Sequence, residues 1–277
     1  MAFFYSLLVA APEERAKFHR AWRDFCEGSA HWRLWGALGW QDILQRYRRS
    51  ILGPFWLTTS MGILVCSLGI LYSTLFKVPE PEYIPYVASS LIVWGLIAGL
   101  ITDGCACFFV SAGLIRQLPA PLSCHMFRAV WRNLLIFIHN SVIYVVVMIF
   151  YGIYPGLWNL VFAGLGIGLI CINGFWAGLT LGVLSARFRD TPPIVVSIVQ
   201  VVFFLTPIFW HASQIPERSY VIVFNPLSYF LELVRQPLLG QSPELRTWAI
   251  AASITIFLVI SSFAFFAKYR ARVAYWV

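Results

Sequence analysis

Few residues in this 277-residue chain have the type and spacing that covalent chemistry needs. Asp103 is the one carboxylate set well inside a long apolar run. A charge there is costly and marks a functional position by default, with a hydrated or hydrogen-bonded structural role as the equal alternative. His139 and Asn140 lie in another apolar run, where an interhelical hydrogen bond is the better account. No His/Glu pair stands at metal-ligand spacing and no nucleophile motif occurs, so neither a metal site nor an enzyme is expected. A P-loop needs Gly-Lys-Ser/Thr so that its lysine can reach the β/γ-phosphates. The lysines here are Lys17, Lys77 and Lys268, preceded by Ala16, Phe76 and Ala267, so any ATP hydrolysis belongs to a partner chain. The six cysteines fall mostly in or beside apolar runs; Cys105 and Cys107 would point about 200° apart on a helix and cannot chelate together.

The elements that hold these residues follow from composition. Sixty per cent of the chain is hydrophobic and 12% charged, about half the charged share of a soluble domain. Lipid must therefore be the solvent for much of the surface. Uncharged or nearly uncharged runs at 55–76, 83–115, 133–151, 157–184, 193–210 and 247–266 predict six transmembrane helices in an all-α integral membrane protein. The segment 211–246 differs: its best apolar piece is 219–231, broken by Pro226, and predicts a re-entrant helical hairpin before the last span. Residues 31–50 set Trp32, Trp35, Trp40 and Ile43 among Arg33, Arg46, Arg48 and Arg49, the pattern of an amphipathic helix in the membrane interface. The chain thus divides into an N-terminal region, 1–54, and a six-helix transmembrane domain, 55–277. Residues 1–10 are apolar but lack a basic lead-in and a small-residue cleavage site, so they are not read as a signal peptide.

The formal charge of +8 comes from arginines in the gaps between apolar runs, which points to a membrane face and not to nucleic acid. Segments on the N-terminal side of the membrane hold 16 Lys/Arg against 4 on the other, which predicts both termini in the cytoplasm. Gly174, Gly178 and Gly182 repeat every four residues and predict close helix packing, as do Gly164 and Gly168. In Arg187-Phe188-Arg189-Asp190-Thr191-Pro192-Pro193, Asp190 or Thr191 is placed to cap the next helix and Pro192 suits its first turn.

Several stretches resemble a known family. Arg46-Tyr47-Arg48-Arg49-Ser50-Ile51-Leu52-Gly53-Pro54-Phe55-Trp56 resembles the entry to the first span in permeases of bacterial polysaccharide ABC exporters. Arg187 to Asp190, Gln200 and Thr206-Pro207-Ile208-Phe209-Trp210 resemble their fourth loop and fifth span. Asn225-Pro226-Leu227-Ser228 with Arg235 and Leu238-Leu239-Gly240 resembles their outer hairpin, and the tail from Tyr269 to Val277 is most like the O-antigen branch. Residues 1–30 carry no part of the likeness.

The resemblance implies a homodimer in the bacterial inner membrane with two ABC ATPase subunits, which bind the ATP and Mg. It implies a cargo of polysaccharide on undecaprenyl diphosphate, moved from cytoplasm to periplasm; capsule, teichoic acid, lipid or drug cargoes share much of the pattern. A stand-alone secondary transporter is the reading from outside the class. The resemblance also assigns ATPase coupling to the 31–50 helix and to 115–132, with Arg46, Arg116 and Arg128 as candidates. Arg48 and Arg49 are candidates for the lipid diphosphate. A sliding sugar chain needs apolar ring faces and few charges; Trp56, Tyr72, Phe203, Phe204, Phe209 and Trp210 are the candidates, with core or lipid packing as the alternative for each.

Overall fold

The computed structural model describes residues 12–47, 55–118, 120–211 and 223–277, and among them every regular element is a helix. Two helices, α1 (Pro12–Ala30) and α2 (Trp32–Tyr47), precede the long apolar ones. Then follow α3 (Phe55–Phe76), α4 (Glu80–Val110), the short α5 (Ala112–Gln117), α6 (Leu122–Tyr151) and α7 (Leu157–Arg187). The chain closes with α8 (Thr191–Leu205), α9 (Pro226–Leu238) and α10 (Leu245–Trp276). Five helices are long and apolar enough to cross a membrane, and α8 is a shorter apolar one. At 1.5 Å per residue the 31 residues of α4 run about 46 Å, well beyond a ~30 Å hydrocarbon core.

Three spans are longer than the apolar runs that announced them. Helix α6 begins at Leu122 and not at residue 133, and α10 runs on to Trp276. Their charged extensions lie at the end of the bundle that carries α1 and α2, here the near end. The expected span 193–210 is corrected at its other end: α8 stops at Leu205 and residues 206–210 are unwound. Pro207 supplies the cause, because it lacks an N–H and disfavours helix at the residue before it. Of the segment expected to form a re-entrant hairpin, 211–246, residues 212–222 lie outside the described residues, and the remainder includes the 13-residue helix α9.

Helix α4 is the axis of the bundle. It packs against α3, α6, α7, α8 and α9, and most of its side chains are buried. Lipid offers no hydrophobic drive for helix association, so close backbone approach does that work. Gly104 of α4 meets Gly178 of α7: a Cβ at 104 would lie 2.6 Å from the Gly178 Cα. Gly174 and Gly182 press on Leu100 and on the Gly104 carbonyl, whereas Gly164 and Gly168 meet nothing within 4 Å among the described residues. Outward-facing Ile63, Leu71, Val146, Phe150 and Phe257 are exposed, as lipid-facing side chains must be. This is a multi-pass membrane protein.

Candidate functional site: two polar stations joined by one helix

The near-end station is a chain of ion pairs. Arg128 on α6 forms a bidentate pair with Asp42 on α2, Nε to Oδ2 at 2.8 Å and Nη2 to Oδ1 at 2.5 Å. Arg132, one turn along α6, reaches both ways: Nη1 to Asp42 Oδ2 at 3.1 Å and Nη2 to Asp103 Oδ2 of α4 at 2.8 Å. Asn133 Nδ2 donates to the same Asp103 oxygen at 2.8 Å and to the Ala129 carbonyl. Burial works to raise the Asp42 pKa, but the Arg128 hydrogen bond and the charges of both arginines outweigh it and hold the carboxyl below its ordinary value. Asp103 thus links α4 to α6 and, through Arg132, to α2. A cavity of about 210 Å³ opens beside it, lined among others by Ser111, His125 and Arg128. His125 is buried there with neither ring nitrogen partnered among the described residues.

A second near-end anchor comes from the region that resembled nothing. The Asp24 carboxylate of α1 is fully buried and accepts from the Leu122 and Ser123 backbone N–H groups at 3.2 and 3.0 Å, and from Arg270 Nε of α10 at 2.6 Å. The first N–H groups of a helix have no partner within it and carry its positive dipole end. Asp24 thus caps α6 from another helix. Phe25 beside it lies 5.4 Å from Trp176 and 5.7 Å from Phe127 between ring centroids. The signal was present in the sequence as Phe18, Ala21 and Phe25, an apolar face on an otherwise charged helix.

The far-end station holds the unwound segment. The Tyr83 and Tyr86 hydroxyls of α4 donate to it: Tyr83 to the Phe209 carbonyl, Tyr86 to Pro207 at 3.0 Å and Trp210 at 2.9 Å. Arg235 of α9 donates to the Pro207 carbonyl and to Ser90 Oγ, and its guanidinium lies 4.3 Å from the Tyr86 ring centre. Asn225 caps α9 through the Leu227 N–H and donates to Thr206 Oγ1 at 2.8 Å. Carbonyls freed where α8 ends are thereby satisfied inside the protein, the condition for irregular backbone at membrane depth. Tyr86, His211, Arg235 and Gln236 line a cleft of about 570 Å³ at this end.

Among the aromatic candidates, Tyr72, Phe203, Phe204 and Phe209 come together. Tyr72 stacks on Phe209 at 5.5 Å, and Phe209 lies 5.7 and 6.1 Å from Phe203 and Phe204. Trp210 Nε1 donates to the Phe204 carbonyl, and Trp94, not singled out in the sequence, adds a ring 5.7 Å from Phe203. Trp56 stands apart near the other end of α3 and is 53% exposed. Arg128 is bound as above, and Arg116 on α5 donates to the Val277 carbonyl. Arg48 and Arg49, and the side chain of Arg46, lie outside the described residues. His139 is corrected: its Nδ1 pairs with the Leu135 carbonyl one turn back in its own helix at 2.8 Å, so its ring makes no interhelical bond among the described residues. Asp190 does stand at the start of α8, and prolines fill its first turn, but no side-chain capping bond forms. Among the described residues, no group of three or more His, Cys, Asp or Glu converges to hold a metal.

The model of one family, described as ABC-2 type transporter, matches residues 33–239. Two proteins of Klebsiella pneumoniae named O-antigen export system permease protein RfbA are 24% and 23% identical to this chain over 236 residues, which is 84% of this chain and 91% of each. A protein of the same name from Myxococcus xanthus is 23% identical over 192 residues, 68% of this chain and 73% of its own.

Proposed function

This chain belongs to the ABC-2 type transporter family, and from that premise we propose that it is the permease of an exporter carrying undecaprenyl-diphosphate-linked polysaccharide, O-antigen in particular, from cytoplasm to periplasm. Membership makes it the transmembrane subunit, not the catalytic ATPase, and implies an ABC ATPase partner. The observation that carries the cargo reading is the match to O-antigen export permeases across 91% of their length. The working unit in this reading is two copies of this chain and two ATPases in the inner membrane, with the near end in the cytoplasm.

Helix α4 supplies a mechanism. Asp103 and Tyr86 lie on it 17 residues apart, about 26 Å along the axis. In this reading the ATPase moves α2 and α5, and the Asp42–Arg132–Asp103 chain passes that displacement to α4. Tyr83 and Tyr86 then shift the 206–210 segment and the ring cluster around Phe209, which border the path of the polymer. Arg48 and Arg49 remain the candidates for meeting the lipid diphosphate, since guanidinium groups pair well with phosphate.

The test is a deletion in the native bacterium, followed by surface-polysaccharide gels and extraction of undecaprenyl-linked glycans. Loss of long surface chains with polymer trapped inside, restored by this gene together with its ATPase, is the expected result. Normal surface polymer and no trapped intermediate, in a strain without a second exporter, overturns the cargo and turns the search to teichoic acid, capsule or small-molecule efflux.

A further inference from the structure

The near-end arginines of α6, α7 and α10 fall into two sets. Arg128, Arg132 and Arg270 are paired with Asp42, Asp103 and Asp24. Arg187, the last residue of α7, and Arg272, near the end of α10, have no carboxylate side chain within salt-bridge distance and no side-chain hydrogen bond among the described residues. Both line one cavity of about 390 Å³ whose other walls are Val183, Phe188, Tyr269, Trp276 and apolar neighbours, with no acidic side chain among them. The guanidinium carbon of Arg187 lies 5.3 Å from the ring centres of both Phe188 and Trp276, and that of Arg272 lies 6.0 Å from Tyr269.

We infer that this pocket binds the phosphate headgroup of an anionic phospholipid in the near-end leaflet. Two spanning helices leave the apolar core at this point, which sets the arginines at headgroup depth. A guanidinium resting on a ring is held in place while its N–H edge stays free, and that edge matches phosphate oxygens in pairs. The rings and Val183 give the upper acyl chain an apolar wall, so charge and surface both suit a lipid. Lys268, outside the lining, lies 5.4 Å from the Tyr269 ring centre and adds positive charge on that side of the ring. A carboxylate-rich protein partner would meet the same charge, but it would leave the aromatic wall unfilled. The bound lipid would bridge α7 and α10, and this inference does not depend on the cargo.

The full chain, purified with its ATPase partner, is placed in nanodiscs of phosphatidylcholine containing a minority of phosphatidylglycerol. Native mass spectrometry then counts the phosphatidylglycerol retained after release. Basic side chains near a membrane surface contribute about 1 kcal/mol each, so R187Q/R272Q is expected to retain phosphatidylglycerol about thirtyfold less than wild type. The far-end control R246Q retains it unchanged. If the double variant fails to assemble, R272Q alone carries the test, with an expected drop of about fivefold. Equal retention by wild type and variants overturns the site. So does complete displacement by inorganic phosphate, which marks a free-anion site, or selective retention of added undecaprenyl diphosphate over phosphatidylglycerol.

Discussion

Arg270 Nε donates to Asp24 Oδ2 at 2.6 Å, across 246 residues of sequence, and the same carboxylate caps the start of α6. One fully buried side chain therefore ties together the first described helix, the third span and the last. Asp24→Ala removes a cap and strands a partly buried arginine. The expected cost is roughly 2–4 kcal/mol, read as a lower melting temperature of the purified chain and less protein in membranes. The double variant D24A/R270A should lose less than the sum of the two singles, which a double-mutant cycle in the same assay measures.

Asp103→Ala cuts the link between α4 and α6 and leaves Arg132 to Asp42 alone. Under the proposed exporter function, export should fall several-fold while the complex still assembles and hydrolyses ATP, since neither the ATPase nor Asp42–Arg128 is touched. ATP hydrolysis and surface polymer measured on the same variant decide it. Equal loss of both would mean that Asp103 only holds the fold.

Gly104→Val places a branched side chain where even a Cβ lies 2.6 Å from the Gly178 Cα. Backbone cannot yield as a flexible side chain does, so overpacking of about 1–3 kcal/mol is expected. Gly168→Val, which meets nothing within 4 Å among the described residues, should leave the thermal stability of the same protein unchanged.

Tyr83→Phe with Tyr86→Phe withdraws from the unwound segment two hydroxyl donors, the Tyr86 one shared between the Pro207 and Trp210 carbonyls, and leaves Arg235 on Pro207. At about 1 kcal/mol for each net hydrogen bond, backbone amides at 208–211 should exchange with deuterium roughly tenfold or more faster. Amides of α7 serve as the internal reference.

Because the Asp42 carboxyl is held below its ordinary value, its pairing with Arg128 and Arg132 stabilises the protein above the unfolded carboxylate range. That contribution fades as pH falls through the lowered folded value. Spin labels on α2 and α6 should therefore separate in strongly acidic buffer and stay put between neutral and mildly acid pH. Asp42→Asn should show the separated state throughout.

Much of this molecule is a property of the chain read in one dimension. The spans, their approximate ends and the basic bias of one face follow from hydropathy and arginine placement, because lipid imposes the same demand on every segment wherever it packs. Gly178 and Gly182 were legible as close-packing positions, because small residues at a four-residue repeat align on one helix face. The break at Thr206-Pro207 was written in the proline, yet residues 193–210 read as one continuous span because apolarity alone does not report an unwound turn.

Partnerships were decided only by the tertiary structure. Nothing local to Asp103 names Arg132, nothing near Asp24 names Arg270, and nothing local to Tyr83 or Tyr86 names the carbonyls of 206–210. Each pairing depends on which helices lie side by side and how each is rotated about its axis. Rotation is set by side-chain fit summed over whole helices, such as Gly104 against Gly178. Hydrophobicity places a helix in the membrane, and contact between helices decides which of its polar groups meet.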